Sequence, residues 1–148
     1  MRSPETRLAY MWFAELLVLV FGLYVAVSVV FPGKVYSFLA PVALLVLGSA
    51  YIVLEYRAWG FEVRDDHLYL EYGVFTKVKT MVPFVRIQHV DTQRNALERV
   101  FGISRVVVYT AGTRGSDVKA KGLLPGEADS MQEKLRDVAI ESEDRDAV

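Results

Sequence analysis

Two long apolar runs, parted by three residues, limit what this chain can fold into. Residues 8–31 are apolar almost throughout, interrupted by Glu15, and residues 35–54 carry no charge at all. Pro32-Gly33-Lys34 separates them. About 20 residues of helix cross a hydrocarbon core of about 30 Å, and each run is long enough. A soluble core helix is rarely apolar on every side for that length. A cleavable signal peptide fits the first run poorly, because the run is too long for an h-region and a second span follows at once. The expectation is a membrane anchor over residues 1–57, with spans at about 8–31 and 35–54.

The short break forces an antiparallel hairpin, so both outer ends share one side of the membrane. Arg2 and Arg7 precede the first span, and Arg57 and Arg64 follow the second, whereas the connecting loop holds only Lys34. The positive-inside rule then predicts a multi-pass protein of the cell membrane with both termini cytoplasmic. Tyr10, Trp12, Tyr51, Tyr56 and Trp59 suit the aromatic belt on that side, and Phe31, Tyr36 and Phe38 the opposite one. Glu15 has two readings. It lies about two turns from Arg7 and can snorkel to the interface, or it makes an interhelical contact in the membrane.

After Trp59 the pattern changes to short strands. Residues 61–64 lead into an Asp65-Asp66 turn. Residues 67–74 alternate, with Leu68, Leu70, Tyr72 and Val74 on one face. Phe75-Thr76 turns the chain into residues 77–84, where Val78, Thr80, Val82 and Phe84 oppose Lys77 and Lys79, and Pro83 marks a strand end or edge. Residues 86–91 form a fourth extended piece. Residues 95–101 predict a short helix closed by Gly102. Val106-Val107-Val108-Tyr109 is strongly β-prone. Residues 111–116 form a glycine-containing loop, and residues 117–121 a last strand with Val118 and Ala120 inward. Pro125 opens a helix whose Ala128, Met131, Leu135 and Val138 share a face. The result is α+β: about six antiparallel strands, then one amphipathic helix, over residues 58–140. Residues 141–148 are expected to be an acidic, disordered tail.

Charge is blocky under a net of -1. Residues 75–121 hold nine Lys/Arg against three acids, and residues 122–148 hold three against eight. A basic middle is read either as a solvated mixed surface or as a face toward anionic lipid. With no cysteine in the chain, disulfides, thiolate metal sites and cysteine nucleophiles are excluded.

Several stretches together resemble the bacterial PH-domain family of YdbS-like membrane proteins. They are Val82-Pro83, Arg86-Ile87-Gln88-His89-Val90 and Leu97-Glu98-Arg99-Val100-Phe101-Gly102. Val106-Val107-Val108-Tyr109-Thr110-Ala111-Gly112, Gly122-Leu123 and Glu127-Ala128 complete the set. The resemblance covers roughly residues 59–138, and the preceding hairpin is the usual arrangement of such proteins. It implies a PH-like bent antiparallel sheet or partial barrel capped by the C-terminal helix and tethered at the inner membrane face. It implies no reaction and no catalytic residues. Some eukaryotic PH domains bind phosphoinositides through a basic β1/β2 loop, but here that turn, Arg64-Asp65-Asp66-His67, is acidic.

His89 and Asp91 share a face of an extended piece, where they form either an acid–base pair or a structural network with Arg86 and Gln88. No nucleophile elbow, second His cluster or phosphate-binding glycine loop accompanies them. The expected function is a non-catalytic interaction or scaffold module at the cytoplasmic membrane face. Its partners are the lipid bilayer and another membrane protein or a second copy, engaged through a sheet edge or the 111–116 loop. The alternative is an anionic lipid headgroup or small ligand bound by Lys77, Lys79, Arg86, Arg94, Arg99 and Arg105. No cofactor, metal or nucleic acid is expected.

Overall fold

A computed structural model of the chain describes residues 1–111 and 117–146, with side chains to residue 141. Two helices come first, α1 at Thr6–Val30 and α2 at Tyr36–Ala58, both long and apolar enough to cross a membrane. Only 6% and 17% of their most apolar stretches are buried within the chain. Such all-round apolar exposure suits a span and not a core helix. Gly33 takes φ +73° in the connecting turn, a conformation open to glycine. Gly48 allows the helices to close up, since a Cβ there would lie 2.7 Å from Leu16 Cδ1. α2 runs to Ala58, past the expected end at residue 54, because no glycine or proline stops it until Gly60.

Strands β1 (Gly60–Val63), β2 (His67–Tyr72) and β3 (Val78–Pro83) form one antiparallel sheet in that order. Leu68, opposite Val82, and Leu70, opposite Thr80, face inward. The inward row stops there: Tyr72 is exposed at the strand end and Val74 lies in the turn beyond it. β3 stops at Pro83, which cannot donate to a ladder, and a single 3-10 turn follows at Phe84–Arg86.

The second sheet contains β4 (Ile87–Gln93), β5 (Ser104–Thr110) and β6 (Val118–Leu123), with the short helix α3 (Ala96–Phe101) between β4 and β5. β4 is longer than the expected piece and carries a register shift between Ile87 and His89. The bulge lets Ile87 and Val90, three residues apart, both point into the core.

The two sheets pack face to face without closing into a full barrel. α4, Pro125–Asp146, covers the end formed by β4, β5 and the 3-10 turn. Ala128, Met131 and Leu135 enter the shared core, with Val138 packed beside them. Gln132 fixes the docking: its Nε2 donates to the Val90 carbonyl at 2.8 Å, and its Oε1 accepts from Thr92 Oγ1 at 2.9 Å. α4 continues through the acidic residues expected to form a tail, as no glycine or proline interrupts them. Residues 112–116 of the expected loop and residues 147–148 of the expected tail lie outside the described residues.

The start of the chain is part of this domain. Arg2 pairs with Phe61 at the edge of β1 through two backbone bonds of 2.8 and 3.0 Å. Glu5 N–H donates to the Gly122 carbonyl of β6 at 2.8 Å. Residues 2–5 thereby strap the edge strands of the two sheets together. Tyr56 Oη, on α2, donates to the Pro4 carbonyl at 2.7 Å. Leu8 and Met11 then bury themselves against Ile103, flanked by Trp12 and Phe101. Gly122 is required twice here. Its φ is +72°, and a Cβ would lie 2.7 Å from Pro4 Cβ and 2.9 Å from Leu8 Cδ2.

Leu8→Ala should therefore destabilise the domain by about 2–5 kcal/mol, as a core truncation does. Leu17→Ala, at an exposed position of the same helix, should change it by less than about 0.5 kcal/mol. Denaturant unfolding of the full chain in micelles, followed by near-UV circular dichroism, separates the two outcomes.

Candidate membrane-facing site

The residues from Asn95 to Arg105 build the corner on which the second sheet turns. Asn95 caps α3, its Oδ1 accepting the Glu98 N–H at 2.7 Å. The Glu98 carboxylate accepts the Asn95 N–H at 2.9 Å in return, completing a capping box. Gly102 closes the helix in the left-handed region at φ +67°. The Glu98 side chain is only 2% exposed, and Arg105 Nε donates to both its oxygens at 2.8 and 3.1 Å. A carboxylate so buried needs such a partner. The adjacent Arg99 is not that partner. Arg99 instead lies exposed on the last turn of α3, and Arg7 Nη1 approaches Gly102 at the helix end.

The six basic candidates are spread over both sheets. Arg86 is exposed on the 3-10 turn, Arg94 and Arg99 are exposed on either side of the α3 cap, and Arg105 is tied to Glu98. Lys79 sits across from Glu71 in the β2–β3 register, with an ion-pair distance of 3.9 Å. Lys77 stands apart from these: it lines a cleft of about 480 Å³ with Arg2, Arg57, Trp59, Gly60 and Glu71, beside the end of α2. Arg2 also pairs with Glu127 at 3.1 Å. Arg57 and Arg2 are cations that sequence reasoning treated as flanks of the spans. Only the fold shows that they share a wall with Lys77.

A second notch, of about 410 Å³, lies where the hairpin meets β6 and is lined by Trp12, Glu15, Leu16, Tyr51, Ile52, Glu55 and Lys121 among others. About 20 residues counted from the loop end of each helix reach Met11 on α1 and Glu55 on α2. By that count Glu15 falls about one turn inside the hydrocarbon edge, and it lines the notch together with Lys121 and Glu55. That placement gives the acid a polar outlet at the domain side of the membrane.

Elsewhere several polar residues pair with one another, although the buried His67 Nε2 and Ser104 Oγ have no hydrogen-bond partner among the described residues. His89 Nε2 and Asp91 Oδ1 are 2.6 Å apart, on an exposed face against the Tyr109 ring. At the β1–β2 turn, Arg64 Nε donates to Glu62 at 2.9 Å and its guanidinium lies 4.9 Å from the Tyr69 ring centroid. The Arg64 hydrogen bond and the terminal amine hold the Glu62 carboxyl below the usual carboxylate range. His67 Nδ1 is paired with Asp66. The basic groups of this turn are therefore already committed to neighbouring acids.

Removing one partner of the buried pair leaves an uncompensated charge, so Arg105→Ala should cost about 3–5 kcal/mol of stability. Arg94→Ala and Arg99→Ala should each fall within about 0.5 kcal/mol. Urea unfolding of the three variants tests this contrast, and a lipid-binding loss seen only with Arg105→Ala would report unfolding.

The family model described as Bacterial PH domain matches residues 15–139. Among curated proteins, the UPF0699 transmembrane protein YdbS of Bacillus subtilis (strain 168) is 29% identical over 107 residues, covering 69% of this chain and 65% of that protein. The chain thus spans a little under two thirds of that relative's length. No solved structure matches. The match takes in the second half of α1, all of α2, both sheets and most of α4, so the membrane hairpin and the sheet-and-helix domain are parts of one recognised unit, and the chain belongs to the bacterial PH domain family.

Proposed function

We propose that this chain is a non-catalytic interaction module, held by its hairpin at the cytoplasmic face of the cell membrane, that engages another membrane protein or a second copy of itself. The observation that most supports this reading is the seam between α1 and the two sheets. Residues 2–12 are at once the strap across β1 and β6, part of the buried packing, and the entry into the first span. A domain registered this closely to the bilayer presents its surfaces at one height and orientation. That lowers the orientational cost of meeting a partner held in the same plane. The outer edge of β3, bearing exposed Met81 beside Lys79 and Pro83, is the sheet edge such a partner would meet, while lysine and proline discourage indiscriminate pairing there.

The cytoplasmic orientation in this reading is supported by Arg2, Arg7, Arg57 and Arg64 at the domain end against Lys34 in the loop. Because the chain contains no cysteine, single cysteines report on it cleanly. An impermeant maleimide applied to intact cells should label Lys34→Cys and spare Asp65→Cys, and the reverse pattern would overturn the orientation. For partnership, a photo-crosslinking residue at Met81 should give one discrete adduct, either a dimer or a complex with one membrane protein. A folded, membrane-inserted protein that yields no adduct from any β3 position would sink the edge reading.

A second reading, binding of an anionic lipid headgroup, is favoured by the cleft that gathers Arg2, Arg57 and Lys77 at the end of α2. Each cation near an anionic surface contributes about 1 kcal/mol. Arg57→Ala with Lys77→Ala should then weaken retention of phosphatidylglycerol by the full chain, read by native mass spectrometry from mixed nanodiscs. Retention equal to the parent's would remove this reading.

A further inference from the structure

The turn between β2 and β3, residues 73–77, carries the most exposed large apolar side chain among the described residues. Phe75 is 90% exposed. A phenylalanine that open to water gains nothing from the fold of its own domain. The turn that presents it is nevertheless tightly built. Gly73 takes φ +101°, and a Cβ at that position would lie 2.1 Å from the Thr76 carbonyl oxygen, so the geometry admits only glycine.

The ring that packs on Phe75 among the described residues belongs to a membrane span. Tyr51 of α2 stacks on it, with centroids 6.1 Å apart and planes inclined by 19°. About 20 helical residues from Tyr36 reach Glu55, which sets the hydrocarbon edge. Tyr51 lies four residues inside that edge, about 6 Å deep at 1.5 Å per residue. Phe75, its ring centre 6.1 Å from that of Tyr51, lies within about one helical turn of that depth. Lys77, two residues on, lines the cleft with Arg57, and Arg57 lies six residues, about 9 Å, above Tyr51 along α2. An aromatic tip at the boundary with a lysine above it is the vertical order that lipid imposes, ring in the interface and cation among phosphates.

We propose that Phe75 is inserted into the interfacial zone of the same bilayer that holds the hairpin, so that the domain touches the membrane at a third point besides α1 and α2. The occupant of the Phe75 surface is lipid, at the junction of glycerol backbone and acyl chain. This inference rests on the hairpin crossing the bilayer. The opposite end of β2 provides an internal reference. Asp65 lies in the β1–β2 turn, about 20 Å away along a six-residue strand at about 3.3 Å per residue.

The test uses the full chain in phospholipid vesicles, with a fluorescent nitrobenzoxadiazole group on one introduced cysteine at a time. Labels at Phe75→Cys and at Thr76→Cys, which keeps the phenylalanine, should emit to the blue of the Asp65→Cys label. Lipid bearing a nitroxide near the top of its acyl chain should quench them at least twofold, while aqueous iodide should leave them nearly untouched. Asp65→Cys should show the opposite pattern. Adding Phe75→Asp to Thr76→Cys should restore iodide quenching, with the domain still resistant to protease. A label at Leu19→Cys checks the hairpin. Should that label be quenched by lipid while both turn labels behave like Asp65→Cys, the proposal is overturned and the membrane reading survives. Iodide access at Leu19→Cys would remove the membrane reading itself.

Discussion

The structure depends on the packing of the first two turns of α1 against α3 and β6. Leu8 and Met11 close over Ile103, and the residues just before them pair with β1 and β6. Two open three-stranded sheets have four unpaired edges between them, a liability for any small antiparallel domain. Bonding one short strap to two of those edges removes much of that problem. It also gives the anchor a structural task inside the domain, so the boundary expected near residue 57 divides the sequence but not the fold.

The corner at Glu98 is the second fixed point, and it gives a charge-rich stretch a structural task. The Glu98 carboxylate accepts three contacts from two donors: the Asn95 amide and Arg105 Nε, whose N–H is shared between both oxygens. A carboxylate with those partners has little left to offer a substrate. The stretch from Arg86 to Gly102 carries the chain's densest mixture of charge and amide because a strand must become a helix there and return as β5 in a small space. Its polar groups fix that turn, and those left over, such as Arg94 and Arg99, point into solvent.

Much of this was legible in the sequence, for physical reasons. Apolar length gave the two helices. Period-two alternation and Pro83 gave the first sheet, and Asn95 and Gly102 bracketed α3 by their capping chemistry. What stayed hidden depended on backbone bonds or on distance. The strap is carried by main-chain groups of Arg2 and Glu5, which any residue could supply. Leu8 and Leu17 are the same residue type in one apolar run, yet one faces Ile103 and the other faces outward. The partner of Glu98 lies seven residues away across a helix and a turn, a pairing that no local spacing signals. The β4 bulge was illegible because strict alternation would have sent either Ile87 or Val90 outward. The meeting of Arg2, Arg57 and Lys77 was beyond reach for the same reason of distance.

α1 runs without a break from Thr6, inside the domain, to Val30 at the far turn. No hinge separates the part that packs on Ile103 from the part that faces outward along the span. Tilt of that helix in the bilayer and tilt of the domain above it are consequently a single degree of freedom. A change in the angle of the span, such as a thinner or thicker membrane favours, is then passed on to the sheets and not absorbed in a linker.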